Sequence, residues 1–264
     1  MRVLNDRTDP DEFFGRLAAA ARSVLLLDYD GTLAPFRVER ELAVPYPGVR
    51  DLLRDLLRLK RCRVVLVTGR WSEHVLPLLG LERPPEIWAS HGWERRFPDG
   101  RVELAPLEEP TVMGLAQADD WAIAERLQDR IERKPAGLAL HWRGLPPDRV
   151  EDLRARAVEA WTRFAAGNEL LIAEFDGGVE LRAGGRTKGF AVDTVISEVE
   201  DDVPSAYLGD DWTDEDAFRA LEGRGLRVLV REELRPTAAD LWIRPPGELL
   251  EFLGRWIDAM GDRK

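Results

Sequence analysis

The chain has 264 residues, which is long enough for one large domain or two smaller ones with real cores. Its 49 acidic and 38 basic residues give a net charge of -11, which argues against duplex nucleic acid or an anionic membrane as the main partner. Cys62 is the only cysteine, no run approaches the roughly 18 apolar residues of a membrane span, and the N-terminus lacks the pattern of a secretory signal, so we expect a soluble, cytoplasmic protein.

Five short apolar runs predict buried strands, at residues 23–28, 63–69, 86–90, 205–210 and 226–230. Amphipathic helical patterns lie between several of them, as at residues 47–60, and another follows at 246–261. Strands that are apolar throughout and alternate with helices are typical of a parallel sheet covered on both faces. The pattern therefore predicts an α/β fold with a Rossmann-like parallel-sheet core.

The middle of the chain has a different pattern. Two amphipathic helices are predicted over residues 113–133 and 148–166, and alternating stretches at 137–144, 169–177 and 178–184 suit strands with one solvated face. We interpret residues 107–180 as a smaller α/β domain inserted between the third and fourth strands of the core. The core itself is then predicted to comprise residues 1–106 and 181–264.

Polar residues follow three of the predicted core strands, where ligands of open α/β sheets bind. They are Asp28 and Asp30 after the first strand, Thr68, Gly69 and Arg70 after the second, and Asp210, Asp211 and Asp214 in "GDDWTDED" after the fourth. Five carboxylates at one edge cannot all remain ionised without a cation. A hard divalent ion such as Mg²⁺ is the expected partner.

These motifs also have two structural interpretations, as a calcium loop and as helix caps. The Asp28 region could be a calcium loop, with Glu39 at its twelfth position, but Leu33 occupies the sixth position, where glycine is needed. Thr213 is expected to cap a helix that starts in "TDED", and Ser72 could cap the one after "TGR". Neither capping role explains Asp210 and Asp211.

Four motifs together resemble the haloacid dehalogenase superfamily of phosphotransferases: "DYDGT", Thr68 in "VTGR", Lys188 in "RTKGFAV", and "GDDWTDED". The resemblance implies that Asp28 is the nucleophile that forms an aspartyl-phosphate and Asp30 the general acid and base. It also implies that Thr68 and Lys188 bind phosphoryl oxygens. Mg²⁺ would be held by Asp28, the backbone carbonyl of Asp30 and Asp210, with Asp214 and Asp211 orienting the metal site.

Longer segments resemble the trehalose-6-phosphate phosphatase family, namely "DYDGTLAPF", "SHGWERR", "ERKPAGLALHWR", "GVELRAGGRTKG" and "GDDWTDEDAF". The resemblance implies that the inserted domain is a cap that grips the disaccharide. The implied substrate-binding residues are Arg70, Lys134, His141, Arg143 and Glu180, and His91 either contacts substrate or supports the hinge. The chain departs from the family pattern at Thr187, where asparagine is usual, and at Ala183, where proline is usual.

Other functions remain open on the sequence. The closest is a phosphatase for another sugar phosphate, such as sucrose phosphate, glucosylglycerol phosphate or mannosylglycerate phosphate. A phospho-acceptor receiver domain shares a strand-end aspartate, a threonine and a lysine, but it lacks the second aspartate and a cap. A catalytically inactive domain is disfavoured because all the core motif residues are present. We expect a monomer whose partner is a small-molecule sugar phosphate, with no nucleic-acid or membrane partner.

Overall fold

A computed structural model describes residues 1–175 and 177–261. It divides into two compact units, one formed by Met1–Glu103 with the described residues from Thr187 onward, and the other by Leu104–Arg186. The second unit contains the whole of the strand Gly178–Ala183, which the predicted limit at residue 180 would have divided.

The strands and helices of the first unit, in chain order, are β1 (Arg2–Val3), α1 (Pro10–Ala19), β2 (Ser23–Leu27), α2 (Val49–Arg58), β3 (Cys62–Val67), α3 (Ser72–Leu79), β4 (Glu86–Ala89), β5 (Glu94–Arg96) and β6 (Val102–Leu104) before the second unit. The second unit contains α4 (Glu109–Ala124), β7 (Ile131–Lys134), β8 (Gly137–His141), α5 (Pro147–Ala165), β9 (Leu170–Phe175) and β10 (Gly178–Ala183). The first unit then continues with α6 (Lys188–Ser197), β11 (Ser205–Gly209), α7 (Asp214–Ala220), β12 (Leu226–Val230), β13 (Leu241–Ile243) and α8 (Gly247–Met260).

The sheet of the first unit has the strand order β1-β13-β12-β11-β2-β3-β4-β5-β6. The six strands from β13 to β4 are parallel to their neighbours, while β1 and β5 pair antiparallel with β13 and β4. All five apolar runs that predicted strands form strands of this parallel core. The predicted α/β fold class is therefore confirmed.

Alternate residues of the central strands pack on opposite faces of this sheet. Leu25 and Leu27 of β2 lie in a cluster with residues of α1, α2, α3 and α8, whereas Val24 and Leu26 lie in a second cluster with residues of α6 and α7. Because helices cover both faces, the strand has no solvated side, and its sequence is apolar from Val24 to Leu27.

The second unit is a four-stranded antiparallel sheet in the order β7-β8-β10-β9. One face packs on α4 and α5 through a cluster that includes Leu138, Leu140, Val179, Leu181 and Trp161. The opposite face is formed by the alternate positions, such as Glu132 and Glu180, which flank Ala139 in register.

The prediction of a helix over residues 113–133 was wrong at both ends. Helix α4 covers Glu109–Ala124, and Arg126, with φ of 58°, lies in the left-handed region just after it. Residues Ile131–Lys134 then form strand β7, because their backbone pairs with β8. The prediction for residues 148–166 is confirmed by α5, which is followed by Gly167 with φ of 79°. None of the helices in the described residues has the length and apolar character needed to span a membrane.

Candidate active site

Three neighbouring parallel strands bring the predicted catalytic residues to one edge of the sheet. Asp28 follows β2, Thr68 follows β3 and Asp210 follows β11, and β2 lies between the other two strands. The backbone N–H of Asp28 donates to the carbonyl of Leu208 at 2.9 Å, which continues the β2–β11 pairing up to the site. The strand register thus fixes the relative heights of these residues.

Lys188, the first residue of α6, joins two buried carboxylates. Its Nζ donates to Asp28 Oδ1 and to Asp214 Oδ1, each at 2.7 Å. Asp28, Lys188 and Asp214 are 3%, 4% and 0% exposed, so these ion pairs have almost no contact with solvent. Thr187 caps α6 by accepting from the backbone N–H of Phe190, so threonine fills the capping role at this departure from the family pattern.

Asp214 has both carboxylate oxygens engaged. Besides Lys188, its Oδ1 accepts a 2.5 Å hydrogen bond from the hydroxyl of Tyr207. Its Oδ2 accepts from the backbone N–H groups of Asp210 and Asp211 at 3.1 and 2.9 Å. Asp214 therefore orients the Asp210–Asp211 backbone and Lys188. Tyr207 was missed by the sequence reasoning because it lies inside an apolar strand.

Burial is the main influence on the acidities in this cluster. It raises the pKa of Asp28 to about 7, against the opposing effect of Lys188. Burial and then the charges of Asp28 and Asp214 hold the pKa of Asp210 well above its ordinary value. Burial alone would lower the pKa of Lys188, but the two carboxylates outweigh it and raise that pKa. Lys188 supplies one buried positive charge beside three carboxylates, and the half-exposed Arg231 adds only a long ion pair, with Nη1 4.0 Å from Asp210 Oδ2.

The arrangement fits a hard divalent cation. Carboxylate oxygens of Asp28, Asp210 and Asp214 lie within 4.8 Å of one another, and buried Asp210 Oδ1 has no hydrogen-bond partner among the residues described. Gly31 has φ of 81°, and a Cβ there would lie 2.1 Å from Asp210 Oδ2, so only glycine leaves room for this carboxylate. Asp214 accepts four hydrogen bonds, whereas Asp28 accepts two, from Lys188 Nζ and from Thr32 Oγ1 at 3.2 Å, so Asp28 and Asp210 keep more capacity to bind such an ion.

Asp30 forms a two-pronged ion pair with Arg70. Arg70 Nε donates to Asp30 Oδ2 and Nη2 to Asp30 Oδ1, both at 2.7 Å, while Nη1 donates to the carbonyl of Arg40 at 3.1 Å. Thr68 Oγ1 accepts from the backbone N–H of Arg70 at 3.1 Å. The structure thus places Arg70, predicted to bind substrate, on the predicted general acid and base.

The loop that carries Thr68 and Arg70 is supported by residues that the motifs did not identify. Glu94, 1% exposed, accepts from the backbone N–H of Ser72 at 3.2 Å and from the Ser72 hydroxyl. Ser72 is the first residue of α3, and its hydroxyl donates to Glu94 instead of capping that helix. Thr213 lies at the N-cap position of α7, as expected, but its side chain makes no capping hydrogen bond.

In the second unit, three of the four predicted substrate residues come together. Lys134 Nζ donates to Glu180 Oε1 at 2.6 Å, and Glu132 Oε2 lies 4.0 Å from Lys134 Nζ and 3.2 Å from His141 Nε2. Glu132 was missed because its segment was interpreted as helix, whereas the strand alternation puts it on the face of Lys134. The predicted residue Arg143 packs over Gly177 instead, where an added Cβ would lie 2.2 Å from Arg143 Cγ.

Residues 26–240 match the sequence profile of a family described as trehalose-phosphatase. The chain belongs to the trehalose-phosphatase family. Within it, the chain is similar to a protein named trehalose-phosphate phosphatase from Mycobacterium marinum, with 31% identity over 89% of this chain and 61% of that protein. A probable trehalose-phosphate phosphatase from rice is 31% identical over 92% of this chain and 73% of that protein. The chain thus spans less than two thirds of the length of the mycobacterial relative.

Solved structures similar to this trehalose-phosphatase family member support the fold. The C-terminal domain of trehalose-6-phosphate phosphatase from C. albicans has a TM-score of 0.79 at 21% identity, covering 98% of this chain and 99% of that chain. A trehalose-6-phosphate phosphatase related protein has a TM-score of 0.72 at 27% identity, covering 89% and 97%. A haloacid dehalogenase-like hydrolase from B. subtilis, at 15% identity, has a TM-score of 0.58 over 88% and 99%. The haloacid dehalogenase fold predicted for the core is thereby confirmed.

Proposed function

We propose that the protein is a Mg²⁺-dependent phosphatase that hydrolyses trehalose 6-phosphate to trehalose and phosphate, a step of trehalose biosynthesis. The observation that carries the proposal is the buried cluster of Asp28, Lys188, Asp214 and Asp210, with its unpartnered Asp210 oxygen. Membership of the trehalose-phosphatase family supports the choice of substrate.

Asp28, the backbone carbonyl of Asp30 and Asp210 are the proposed ligands of Mg²⁺. When bound, the ion would reduce the repulsion between the Asp28 carboxylate and the substrate phosphate and stabilise the charge of the transferring group. The raised pKa of Asp28 supports this proposal, since a cation beside the carboxylate favours the ionised form that a nucleophile needs.

The proposed reaction has two steps at phosphorus. In the first, an Asp28 oxygen attacks phosphorus, the bond from phosphorus to the sugar oxygen breaks, and that oxygen takes a proton from Asp30. In the second, water attacks the aspartyl-phosphate and gives a proton to Asp30, and the bond to Asp28 breaks, which releases phosphate. Lys188 and Thr68 are proposed to bind phosphoryl oxygens during both steps, so that the group is held in line with the nucleophile.

The ion pair between Arg70 and Asp30 adds a condition to the first step. Both Asp30 oxygens accept hydrogen bonds from Arg70, so neither can pass a proton to the leaving sugar oxygen until this pair opens. A phosphate group competes with a carboxylate for guanidinium donors. The arrival of an anionic substrate is therefore proposed to move Arg70 from Asp30 to the substrate, in keeping with its predicted role.

The unit Leu104–Arg186 is proposed to be the cap that selects the sugar. Lys134, His141 and Glu180, together with Glu132, offer fixed donors and acceptors of the kind that recognise sugar hydroxyls, and Arg143 is proposed to join them. The expectations of a monomer and of a cytoplasmic location stay predictions.

Acid-quench labelling tests the proposed chemistry. Substrate carrying a ³²P-phosphoryl group is mixed with enzyme and Mg²⁺, quenched in acid, and the protein is counted before and after hydroxylamine, which cleaves acyl phosphates. Wild-type protein should carry a transient label that hydroxylamine removes. With labelled p-nitrophenyl phosphate, whose leaving group needs no acid, Asp30→Asn should accumulate the label because the second step lacks its base. Asp28→Asn should carry none. A label that persists in Asp28→Asn would overturn the assignment of the nucleophile.

A further inference from the structure

Arg235 lies in the loop between β12 and β13, outside every motif that pointed to the site, yet it contacts the Asp210 loop directly. Its side chain is 9% exposed. Nε and Nη2 lie 3.3 and 3.2 Å from the carbonyl oxygen of Asp210, and Nη2 donates to the carbonyl oxygen of Asp211 at 2.7 Å. A single guanidinium therefore holds two successive carbonyl groups.

The backbone of Asp210 and Asp211 is consequently fixed from two sides. Asp214 Oδ2 accepts from both N–H groups, and Arg235 donates to both carbonyl groups. With its donors and acceptors both occupied, this stretch has little freedom to rotate its peptide planes. The direction of the Asp210 side chain, whose Oδ1 lacks a partner among the described residues, is set by that backbone.

Arg235 is itself held in place by three further contacts. Nη1 forms an ion pair with Glu215, which is 5% exposed and also accepts from the backbone N–H of Ala238 at 2.8 Å, and Nη1 donates to the carbonyl of Pro236 at 2.8 Å. The guanidinium lies 4.5 Å from the ring centre of Trp212, which is 63% exposed. The planar guanidinium of arginine has N–H donors in several fixed directions and can contact all these partners at once, whereas the compact ammonium of lysine cannot.

We propose that Arg235 is a positioning residue for the metal ligand Asp210, a role that rests on the proposed metal site. Arg231 Nη1 also lies 3.4 Å from the Asp210 carbonyl oxygen and 4.0 Å from Asp210 Oδ2, but both distances are long and its side chain is 41% exposed, so it is a weaker support. Arg235 acts through the backbone of the loop, which it holds in the arrangement that aims the Asp210 carboxylate at Asp28.

Charge and geometry predict opposite effects when Arg235 is removed. A positive charge near a cation site weakens cation binding, so loss of the charge by itself would tighten it. Loss of a positioning contact weakens it, by roughly ten- to a hundredfold for residues that orient metal ligands. The direction of the change in affinity therefore separates the two roles.

Calorimetric titration of Mg²⁺ into substrate-free protein tests the proposal without using activity. Arg235→Ala and Arg235→Lys should each weaken binding roughly tenfold or more. Arg227→Ala is the matched control, because Arg227 has a buried ion pair with Asp240 in the same unit and no contact with Asp210. It should bind Mg²⁺ like the wild type, and circular dichroism should show that all three variants are folded.

The outcomes distinguish this inference from the proposed function. If the wild type fails to bind Mg²⁺, the metal site itself is wrong, and the inference with it. If the wild type binds and Arg235→Ala binds equally or more tightly, only the role of Arg235 is wrong. If Arg235→Lys binds Mg²⁺ with wild-type affinity, the charge of Arg235 matters and the geometry of its guanidinium does not. If Arg227→Ala weakens Mg²⁺ binding as much as Arg235→Ala does, the loss reflects a general loss of stability. Either result overturns the proposal. If Arg235→Ala fails to fold, the lysine variant decides.

Discussion

Replacing Asp28 with asparagine should stabilise the metal-free protein at neutral and alkaline pH, even though it removes the proposed nucleophile. Burial raises the pKa of Asp28 from 3.8 to about 7, so the folded protein holds this proton more tightly than the unfolded chain does. A raised pKa contributes stability that is complete below pH 3.8 and is lost as the pH rises through about 7. Asparagine does not titrate, and its contribution is constant.

The size of the effect follows from this pKa difference. Each unit is about 1.4 kcal/mol, and linkage gives a loss of about 2.5 kcal/mol from Asp28 between pH 5 and pH 8. The difference in free energy of unfolding between Asp28→Asn and the wild type should therefore shift by about 2.5 kcal/mol in favour of the variant between pH 5 and pH 8. Asp210 should act in the same direction, because the charge of Asp28 raises the pKa of Asp210 as well.

Urea denaturation in EDTA at pH 5 and pH 8, followed by circular dichroism, measures both free energies. Comparing the change between the two pH values removes any contribution from the contacts of asparagine that does not depend on pH. A difference between the two proteins that is the same at pH 5 and pH 8 would refute the reasoning, because it would mean that Asp28 titrates in the folded protein as it does in the unfolded chain.

Three further predictions follow from the same structure. Lys188→Met should destabilise the metal-free protein at pH 8 by about 3–5 kcal/mol, because Asp28 and Asp214 are left buried without their ammonium partner; urea denaturation measures it, and wild-type stability would contradict it. Mg²⁺ should raise the Tm of the wild type but not that of Asp210→Asn, which loses a ligand charge, and equal shifts in a thermal melt would argue against Asp210 as a ligand. Glu180→Gln should lower kcat/KM for trehalose 6-phosphate far more than for a small phosphate ester such as p-nitrophenyl phosphate, and equal losses would remove Glu180 from sugar recognition.

Much of the core could be predicted from the sequence because its strands are buried on both faces. Such strands are largely apolar, as in residues 24–27, and the polar side chains of the site follow where the strands end. Parallel strands end at one edge, so Asp28, Thr68 and Asp210 could be assigned to one place without coordinates. Lys188 could be added only through the resemblance, since nothing local distinguishes the first residue of an apolar helix as a partner of Asp28.

The second unit was harder to predict because its strands are amphipathic and short. The segment Ile131–Lys134 alternates apolar and charged residues over only four positions, too few to separate a strand from the end of a helix. The mistake concealed Glu132, whose position facing His141 depends on the pairing of β7 with β8. The pairing of one strand with the next is not encoded in the periodicity of either segment.

The supporting roles of Glu94, which lies in the segment "SHGWERR", and of Arg235, which lies outside every motif, could not be predicted from the sequence. Glu94 and Arg235 act on the backbones of distant loops, near Ser72 and Asp210, through contacts between side chain and main chain. Because nearly every residue carries the same main-chain N–H and carbonyl, such a contact barely restricts which residue stands at the bound position. Such contacts become visible only when the fold has brought the loops together.

Phosphate release is the most direct test of the central claim that this cluster hydrolyses trehalose 6-phosphate. Purified protein should be compared on trehalose 6-phosphate, sucrose 6-phosphate and glucose 6-phosphate, with Mg²⁺ and with EDTA, with Asp28→Asn as the control. The account predicts the highest kcat/KM on trehalose 6-phosphate, reversible loss of turnover in EDTA, and no turnover by Asp28→Asn. A preference for sucrose 6-phosphate, or wild-type turnover by Asp28→Asn, would contradict it.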